Sequence, residues 1–443
     1  MKRGMGVTSS EPAAVVVGLD CITGLQTARI LADRGIRVIG VASNPHHFAC
    51  RTRACRQVVV ADTAGDELIP ALERLGATLD ARAVLFPCTD QSVMQLSRHR
   101  EALESSYHVV LAEHRLVELL MDKVRFTRYA QEQELALPPT RFVSSAADAR
   151  RAADELRFPV VVKPALKTSL WQQQKLAKVY RAARPARLMA LFDELSPWTD
   201  ELIVQEWIDG TDADLYSCNC YFGADGAPVA AFVARKLRQW PPGAGTSSLG
   251  EEVRNDEVLE ETLRLFQALG YRGLGYVEFK RDERTGRSYI IEPNVGRPTG
   301  RSAIAEAGGV ELLYAMYRDA IGASLPSARV QQYTGVKWMY FRHDLQSALV
   351  HLVRGKLTPA EWRRSWSGPK VDAVWSRSDP APFFWDWWQT LTRLSPSERP
   401  RRLRGSAGRR RKRQAPPRID GSRPEPPPIA RAAVAARTPQ SAR

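Results

Sequence analysis

In the first third of the chain, short apolar runs alternate with longer amphipathic stretches. Short β-branched runs lead into turn residues and then into amphipathic stretches, as in Val15–Gly18 and the segment that continues to Leu31. This β-turn-α-β order is typical of a parallel sheet. The predicted strands are 15–18, 36–41, 83–86 and 107–111. We therefore predict an α/β domain over residues 1–118.

A different pattern begins at Met121. A helix is predicted from Lys123 to Glu134, and the amphipathic stretch 302–320 predicts another. The predicted strands between these helices are 160–163, 202–206, 216–222, 229–233, 276–280 and 289–292. The last two strands form a hairpin around 282–286. Because few helical crossovers separate the strands, we predict an α+β domain over residues 119–325.

The composition changes again after residue 325. Residues 326–395 are rich in Trp, and we interpret the segment Pro382–Trp388 as packing over the rest of the protein, with a membrane-interface helix as the alternative. Residues 396–443 are rich in Arg, Pro and Ala. They cannot bury enough apolar surface to offset the entropy of ordering, so we predict that this basic tail is disordered.

The overall composition narrows the class of protein. The chain of 443 residues is 44% hydrophobic and 26% charged, as expected for a globular protein with two or three domains. No apolar run approaches the roughly 20 residues that cross a bilayer, so we predict a cytoplasmic protein without a transmembrane segment. The six cysteines form no CxxC pair, which argues against a zinc site.

Most of the net charge of +15 belongs to the basic tail. Residues 396–443 hold fourteen Lys or Arg against three Asp or Glu, which is +11 and leaves +4 for the rest of the chain. Any binding of nucleic acid or anionic lipid is therefore expected only at this tail, where the run Arg409–Arg413 would release counterions. A solvated tail without a partner is the alternative.

The predicted hairpin carries the strongest chemical signal. Side chains alternate along a strand, so Glu292 and Asn294 share a face. A turn centred on Thr285 places Glu278 directly opposite Glu292, where two like charges are destabilising. Two carboxylates and an amide oxygen suit a hard cation such as Mg²⁺, which shares its ligands with phosphates. A solvated acidic face is the alternative.

Basic residues suited to a polyanion occur in order along the chain. Lys163 ends an apolar strand, where an ammonium group can contact a phosphate as a point charge. Lys123 begins a helix, where the helix dipole disfavours a cation, and this indicates an external anion. Arg235 and Lys236 follow the predicted strand 229–233. Each residue alone is typical of a solvated surface charge, but their order favours an anion site.

The order of these features resembles the ATP-grasp superfamily. The similar segments are Asp122-Lys123, Leu137–Thr140, Phe158–Pro164, Val204–Gly210 and the hairpin residues Glu278, Glu292 and Asn294. The resemblance covers roughly residues 15–325. It implies a Rossmann-like pre-ATP-grasp domain followed by a two-lobed ATP-grasp domain. Within the superfamily, the chain looks most like bacterial carboxylate–amine ligase-like proteins.

The resemblance implies a role for each matched residue. The phosphates of ATP would contact Lys123, Lys163 and Lys178. Adenine would meet the hinge backbone of Glu206 and Ile208 beside Trp207, and the ribose would meet Asp214. Glu278, Glu292 and Asn294 would hold Mg²⁺, with Mn²⁺ as a substitute. Lys236 or Arg235 would approach the γ-phosphate, and Arg297 would stabilise an acyl-phosphate.

Two departures from the family pattern affect these roles. The segment 165–178 contains no glycine, although the family usually has a Gly-rich phosphate loop there. The family's arginine two residues after the Asn is absent, and Arg297 stands one position further on.

The predicted function is ATP-dependent ligation of a small-molecule carboxylate to an amine. The alternative is a non-catalytic ATP-binding sensor or assembly module, and the resemblance also allows a homodimer.

Overall fold

Three β-sheets with helices on their faces make up the described part of the chain. The computed structural model describes residues 11–165, 171, 176–177, 179–243 and 245–394. The basic tail, for which disorder is predicted, lies outside these ranges. No helix within them is long and apolar enough to cross a membrane.

The first sheet is parallel throughout. Its strands are β1 (Ala14–Val17), β2 (Val38–Ala42), β3 (Cys55–Val60), β4 (Ala83–Pro87) and β5 (Tyr107–His108). Helices α1 (Ile22–Asp33), α2 (Leu68–Gly76), α3 (Asp90–Arg98) and α4 (Arg100–Leu103) and the 3-10 helix Phe48–Arg51 lie in the connections. The strand order β3-β2-β1-β4-β5 confirms the predicted Rossmann-like α/β fold. The unpredicted β3 is a partly exposed edge strand that starts with polar residues, so its apolar signal is short.

Helices α5 (His114–Met121) and α6 (Lys123–Glu132) connect the first sheet to the second. The second sheet consists of β6 (Thr140–Val143), β7 (Val160–Pro164), β8 (Tyr180–Ala182) and β9 (Leu202–Glu206), with the antiparallel order β6-β9-β7-β8. Helices α7 (Ala146–Glu155) and α8 (Pro185–Leu195) pack on it around a core that includes Ala149, Val162 and Leu191.

The third sheet has seven strands. They are β10 (Leu215–Phe222), β11 (Pro228–Trp240), β12 (Thr246–Glu252), β13 (Gly273–Arg281), β14 (Ser288–Val295), β15 (Lys337–Met339) and β16 (Lys370–Asp372). Their order is β14-β13-β10-β11-β12-β15-β16. The helices are α9 (Asp256–Ala268), α10 (Ser302–Ala307), α11 (Leu312–Ala320), α12 (Phe341–Val353), α13 (Pro359–Ser365) and α14 (Ala381–Leu394). Short 3-10 helices span Ser196–Trp198 and Asp212–Asp214.

Two elements of the third sheet region differ from the sequence prediction. Strand β11 continues past Val233 to Trp240, because its charged second half pairs with β12 in the interior of the sheet. The single helix predicted at 302–320 is broken between α10 and α11. Gly309 has a φ of +81°, and a Cβ at Gly308 would lie 2.6 Å from the ring of Phe232, so the two glycines end the first helix against β11.

The Trp-rich extension is joined to the third sheet through β15 and a buried ion pair. The guanidinium of Arg238 on β11 donates to both carboxylate oxygens of Asp344 on α12, at 2.8 and 2.9 Å. The indole N–H groups of Trp362 and Trp366 donate to the same carboxylate at 3.0 Å each. These contacts lie outside Pro382–Trp388, the segment for which packing was predicted; within that segment, Nε1 of Trp385 donates to the carbonyl of His46 at 3.3 Å. The domain boundaries after residues 118 and 325 stay predictions.

A continuous hydrophobic core holds the first and third sheets together. It includes Leu85 on β4, Val93 on α3 and Leu111 beyond β5, together with Val277 on β13 and Ile290 on β14. This packing brings the first turn of α3, at the carboxyl end of β4, against the hairpin that carries the predicted metal ligands.

Candidate active site

A cleft of about 320 Å³ lies between the second sheet and the β14 edge of the third sheet. Its walls also include the first residue of α3 and parts of α5 and α6. The polar side chains that line it are Asp90, Lys123, Thr127, Lys163, Gln205, Glu292 and Asn294. The fold therefore brings together four of the residues that were predicted from sequence to hold phosphate or metal.

The β13–β14 hairpin has the predicted register at its carboxylate end. Glu278 pairs directly with Glu292. Beyond this pair the register shifts by one residue, so that Phe279 lies opposite Ile290 and Ile291 is the additional residue of a β-bulge. The two carboxylates thus lie directly opposite each other, as predicted, whereas the turn end of the hairpin departs from the predicted pairing.

Each of the opposed carboxylates forms an ion pair with a lysine. The Nζ of Lys123, at the start of α6, lies 3.1 Å from Oε2 of Glu292. The Nζ of Lys236 on β11 lies 3.4 Å from the carboxylate of Glu278, and this lysine is buried. These pairs offset the repulsion between the two carboxylates. The result is an alternating arrangement of positive and negative groups at the site.

Lys163 is a partly buried cation of the cleft. Burial, assisted by the charge of Lys123, lowers the pKa of Lys163 from 10.5 to about 8. Its Nζ lies 3.4 Å from the amide oxygen of Gln205. A polyanion bound in the cleft would offset the burial cost and raise this pKa again. The geometry therefore fits the predicted phosphate contact.

The side chain of Asn294 is oriented by Arg297. The Nη2 of Arg297 donates to Oδ1 of Asn294 at 2.7 Å, and its Nη1 donates to the hydroxyl of Tyr276 at 2.8 Å. The Nε of Arg297 donates to the carboxylate of Asp90. Three protein acceptors thus engage the guanidinium, which acts as an orienting group. Direct contact of Arg297 with an acyl-phosphate stays a prediction.

The hairpin donors fit a hard divalent cation. Glu278, Glu292 and Asn294 place two carboxylates and an amide oxygen on one face of β13 and β14. Oxygen donors of this kind, with positions left for water and phosphate, are typical of Mg²⁺. Within the described ranges, no group of three or more His, Cys, Asp or Glu side chains forms a competing metal site.

The backbone N–H groups of the predicted hinge residues differ in whether the protein uses them. The N–H of Glu206 donates to the carbonyl of Pro139 at 2.9 Å, and the N–H of Trp207 donates to the carbonyl of Pro159 at 3.0 Å. The N–H of the buried residue Ile208 has no acceptor among the residues that the structure describes. Of the three predicted hinge residues, Ile208 is therefore the one with a free amide for a ligand.

Comparison with known sequences points to ATP-dependent ligases. Residues 243–328 match the family model "Carbamoyl-phosphate synthase L chain, ATP binding domain". The chain is 23% identical over 237 residues to D-aspartate ligase of Enterococcus faecium, covering 50% of this chain and 54% of that protein. It is 27% identical over 188 residues to D-alanine–D-alanine ligase of Pseudomonas putida, covering 40% and 54%. The chain thus spans about half the length of these curated relatives.

The fold is similar to a solved biotin carboxylase domain. That domain, from 2-oxoglutarate carboxylase of Hydrogenobacter thermophilus, was crystallised as a dimer with MgADP and bicarbonate. The similarity has a TM-score of 0.52 at 14% identity, and covers 72% of this chain and 71% of that chain. The chain has an ATP-grasp fold. The resemblance predicted from the order of the sequence motifs is confirmed.

Two other residues predicted for the site are engaged by neighbouring side chains or backbone groups of the protein. The carboxylate of Asp214 accepts hydrogen bonds from the N–H and hydroxyl of Thr211, at 2.7 and 2.9 Å, and so caps its own 3-10 helix. Arg235 forms an ion pair with Glu251 at 2.6 Å. Lys178 lies outside the described residues. The ribose, γ-phosphate and loop contacts assigned to these residues stay predictions.

One buried arginine close to the hairpin was missed by the sequence analysis. Arg301 is 4% exposed and donates through Nη2 to the hydroxyl of Ser217, at 2.7 Å, on the strand next to Glu278. Its position just before α10, after Gly300, carries no periodic signal of burial. Nothing in the sequence alone separates it from the many exposed arginines of this chain.

Proposed function

We propose that this ATP-grasp protein uses MgATP to activate a small-molecule carboxylate for attack by an amine. The observation that carries the proposal is the single cleft that collects Lys123, Lys163, Glu292 and Asn294. These residues come from three separate elements of the chain. Two cations next to oxygen donors for a divalent metal suit a nucleotide triphosphate.

Each group has a distinct role in the proposed reaction. Lys123 and Lys163 neutralise phosphate charge, and Glu278, Glu292 and Asn294 hold the metal. Bound Mg²⁺ supplies charge neutralisation on the phosphoryl group during transfer. A carboxylate oxygen of the substrate takes the γ-phosphoryl group and ADP leaves. The amine then attacks the acyl-phosphate carbonyl, and phosphate and a proton are released with the amide product.

The ion pairs suggest that the two lysines change partners, from carboxylates to phosphates, when metal and nucleotide bind. Lys123 and Lys236 neutralise Glu292 and Glu278 in the structure. Glu278 and Glu292 would no longer need this neutralisation by the lysines if they held a divalent cation. The two ammonium groups are then available to the phosphates of the nucleotide. Metal and nucleotide binding are therefore expected to be strongly coupled.

The printed names of the similar proteins support the class of reaction. D-aspartate ligase and D-alanine–D-alanine ligase are ligases by name, and the similar biotin carboxylase domain was solved with MgADP. The carboxylate and the amine used by this chain are not inferred from them. The cytoplasmic location and the homodimer stay predictions.

Thermal unfolding with ATP, with and without Mg²⁺, tests the nucleotide site. Ligand at about 100 times its dissociation constant adds about 2.7 kcal/mol to the free energy of unfolding. We expect a rise in melting temperature that requires Mg²⁺ and is lost in Glu292→Gln. Glu260→Gln, an exposed glutamate on α9, is the matched control. No rise under any condition would contradict the nucleotide site.

Turnover separates the ligase from the ATP-binding sensor. ADP release is measured with MgATP and a panel of small carboxylates, each with and without a panel of amines. Release that requires both partners supports the ligase. Nucleotide binding without release for any pair favours the sensor or assembly module. The same assay with Mn²⁺ shows whether that ion can substitute.

A further inference from the structure

The helix α14 is held to the rest of the protein along one face. The buried carboxylate of Asp386 accepts hydrogen bonds from Nε and Nη2 of Arg342, at 2.8 and 2.9 Å. Three positions further along the helix, Nε2 of Gln389 donates to the carbonyl of His46 at 2.6 Å. Residues three positions apart lie on the same side of a helix. These contacts therefore fix both the position and the rotation of α14.

The opposite face of α14 exposes large apolar side chains. Phe384, Trp388 and Leu391 are 61%, 60% and 58% exposed, and their spacing of four and three residues places them on one side of the helix. Phe384 and Trp388 each stand two residues from Asp386, which is nearly opposite in a helix of about 3.6 residues per turn. Trp375, 45% exposed, meets Phe384 edge to face with ring centroids 6.1 Å apart. We call these four exposed residues the aromatic stripe.

The exposure of the aromatic stripe is not explained by the packing of the protein. A helix on the surface of a globular protein usually turns charged or polar residues to the solvent. Single exposed apolar residues are common, but neighbouring ones mark a surface that contacts a partner. Because the other face already holds α14 in place, the stripe is not needed to attach the helix. Its apolar area is therefore available to a partner.

Exposed arginines accompany α14. The guanidinium carbon of Arg51 lies 4.4 Å from the ring centroid of Trp385, on the same helix. The backbone N–H of Arg53 donates to Asp379 at 3.0 Å, just before α14 begins, and Arg377 stands two residues before Asp379. Among the residues that the structure describes, none of these three guanidinium groups lies within 4.0 Å of a carboxylate. Their charge is therefore available to an anionic partner.

The charge of the chain after α14 narrows the choice of partner. Residues 396–443 carry a net charge of +11 and contain no aromatic residue, so they are poorly suited to cover the aromatic stripe. A second copy of the chain would bring like charges together at this surface. Nucleic acid would use the positive charge but not the apolar side chains. An anionic lipid surface uses both, through its headgroups and the acyl boundary beneath them.

We propose that α14 docks on an anionic lipid surface. The aromatic stripe enters the boundary between headgroups and acyl chains, where tryptophan is favoured because its ring is apolar and its N–H is polar. The exposed arginines and the basic residues that follow α14 attract the negative headgroups. This inference does not rest on the proposed ligase function, since none of the stripe residues lines the nucleotide cleft.

Co-sedimentation of the full chain with vesicles tests the proposal. The vesicles contain phosphatidylcholine alone, or equal parts of phosphatidylcholine and phosphatidylglycerol. We expect wild type to bind the anionic vesicles more tightly than the neutral ones, with an affinity that falls as salt is added. The double variant Phe384→Gln, Trp388→Gln should bind anionic vesicles at least about tenfold more weakly, because two large side chains no longer favour the acyl boundary.

Matched variants separate the stripe from general effects. Val330→Gln replaces a 71% exposed valine outside α14 and should bind like wild type. The triple variant Arg51→Gln, Arg53→Gln, Arg377→Gln should bind anionic vesicles more weakly and with a smaller dependence on salt.

Melting temperatures check that the stripe variants fold. Because Phe384 and Trp388 are exposed, the double variant should melt like wild type. If it does not, Leu391→Gln, a single change on the same stripe, replaces it and should also weaken binding to anionic vesicles.

Four results would overturn the proposal. Wild type could fail to bind anionic vesicles, or the folded stripe variant could bind them as tightly as wild type, which would assign the binding to charge alone. Wild type that binds duplex DNA but neither kind of vesicle would assign the charge to nucleic acid. A wild-type dimer, measured by light scattering without vesicles, that becomes a monomer in the stripe variant would assign the stripe to a second copy.

Discussion

Glu278 and Glu292 lie directly opposite each other on β13 and β14, and each carboxylate is held by a lysine from a different element. Lys123 reaches Glu292 from the start of α6, and Lys236 reaches Glu278 from β11. Opposed like charges are destabilising unless cations neutralise them. The negative charge of the two hairpin carboxylates is thus neutralised by lysines in the structure. A bound metal ion would neutralise the same charge in place of the lysines.

Glu292→Gln should abolish Mg²⁺-dependent nucleotide binding with little effect on folding. The Lys123–Glu292 pair is exposed, so its loss should change the free energy of unfolding by less than about 1 kcal/mol. Urea unfolding measures the change in stability, and the rise in melting temperature with MgATP measures nucleotide binding. A variant that binds MgATP like wild type would contradict the assignment of Glu292 as a metal ligand.

Nucleotide affinity should fall as the pH rises above 8, because Lys163 loses its proton. In the free protein, burial lowers the pKa of Lys163 from 10.5 to about 8. Bound phosphates would raise this pKa, so binding takes up a proton between about pH 8 and 10. Calorimetry in buffers of different ionisation enthalpy measures the uptake. Lys163→Met should bind more weakly at pH 7 and show no uptake.

The same pKa shift has a consequence for stability. A lysine with a lowered folded-state pKa contributes stability that is fully present above its unfolded pKa of 10.5 and is lost as the pH falls through about 8. Below pH 8 the partly buried charge is a cost. The free energy of unfolding of Lys163→Met, minus that of wild type, should therefore be larger at pH 7 than at pH 10.5. Urea unfolding of both proteins at both pH values measures this difference. An unchanged difference between the two pH values would contradict the burial effect.

Gly296→Ala should destabilise the protein and weaken MgATP binding together. Gly296 has a φ of +72°, and an added Cβ would lie 2.7 Å from the buried side chains of Leu111 and Val93. Overpacking of this kind costs about 1–3 kcal/mol. Gly322→Ala is the matched control, since its φ is +69° and no atom lies within 4 Å of the added Cβ. Equal losses in both variants would show that backbone strain alone is responsible.

Asp344→Ala should strongly destabilise the third sheet. It leaves Arg238 buried without its bidentate partner and removes the acceptor for two indole N–H groups. Removing one partner of a buried pair costs about 3–5 kcal/mol. Urea unfolding measures the loss. Asp256→Asn, in an exposed pair with Arg254, should behave like wild type.

The alternation of residues in the sequence was sufficient to predict the hairpin that carries Glu278 and Glu292. Strand periodicity and a short turn are local properties, so the pairing of Glu278 with Glu292 followed from positions less than twenty residues apart. The bulge at Ile291 was not predicted, because an extra residue leaves the alternation on either side intact. The lysines were identified by type and order along the chain.

The sequence by itself determined the resemblance to the ATP-grasp fold, the α/β order of the first sheet and the chemical types gathered at the site, because these depend on local periodicity and motif order. Only the tertiary structure decided which lysine neutralises which carboxylate, that Arg297 orients Asn294, and that β11 extends to Trp240. Arg301 is the clearest case. Its burial depends on packing among β10, α10 and the residues around them, and such long-range contacts leave no mark on the pattern of neighbouring residues.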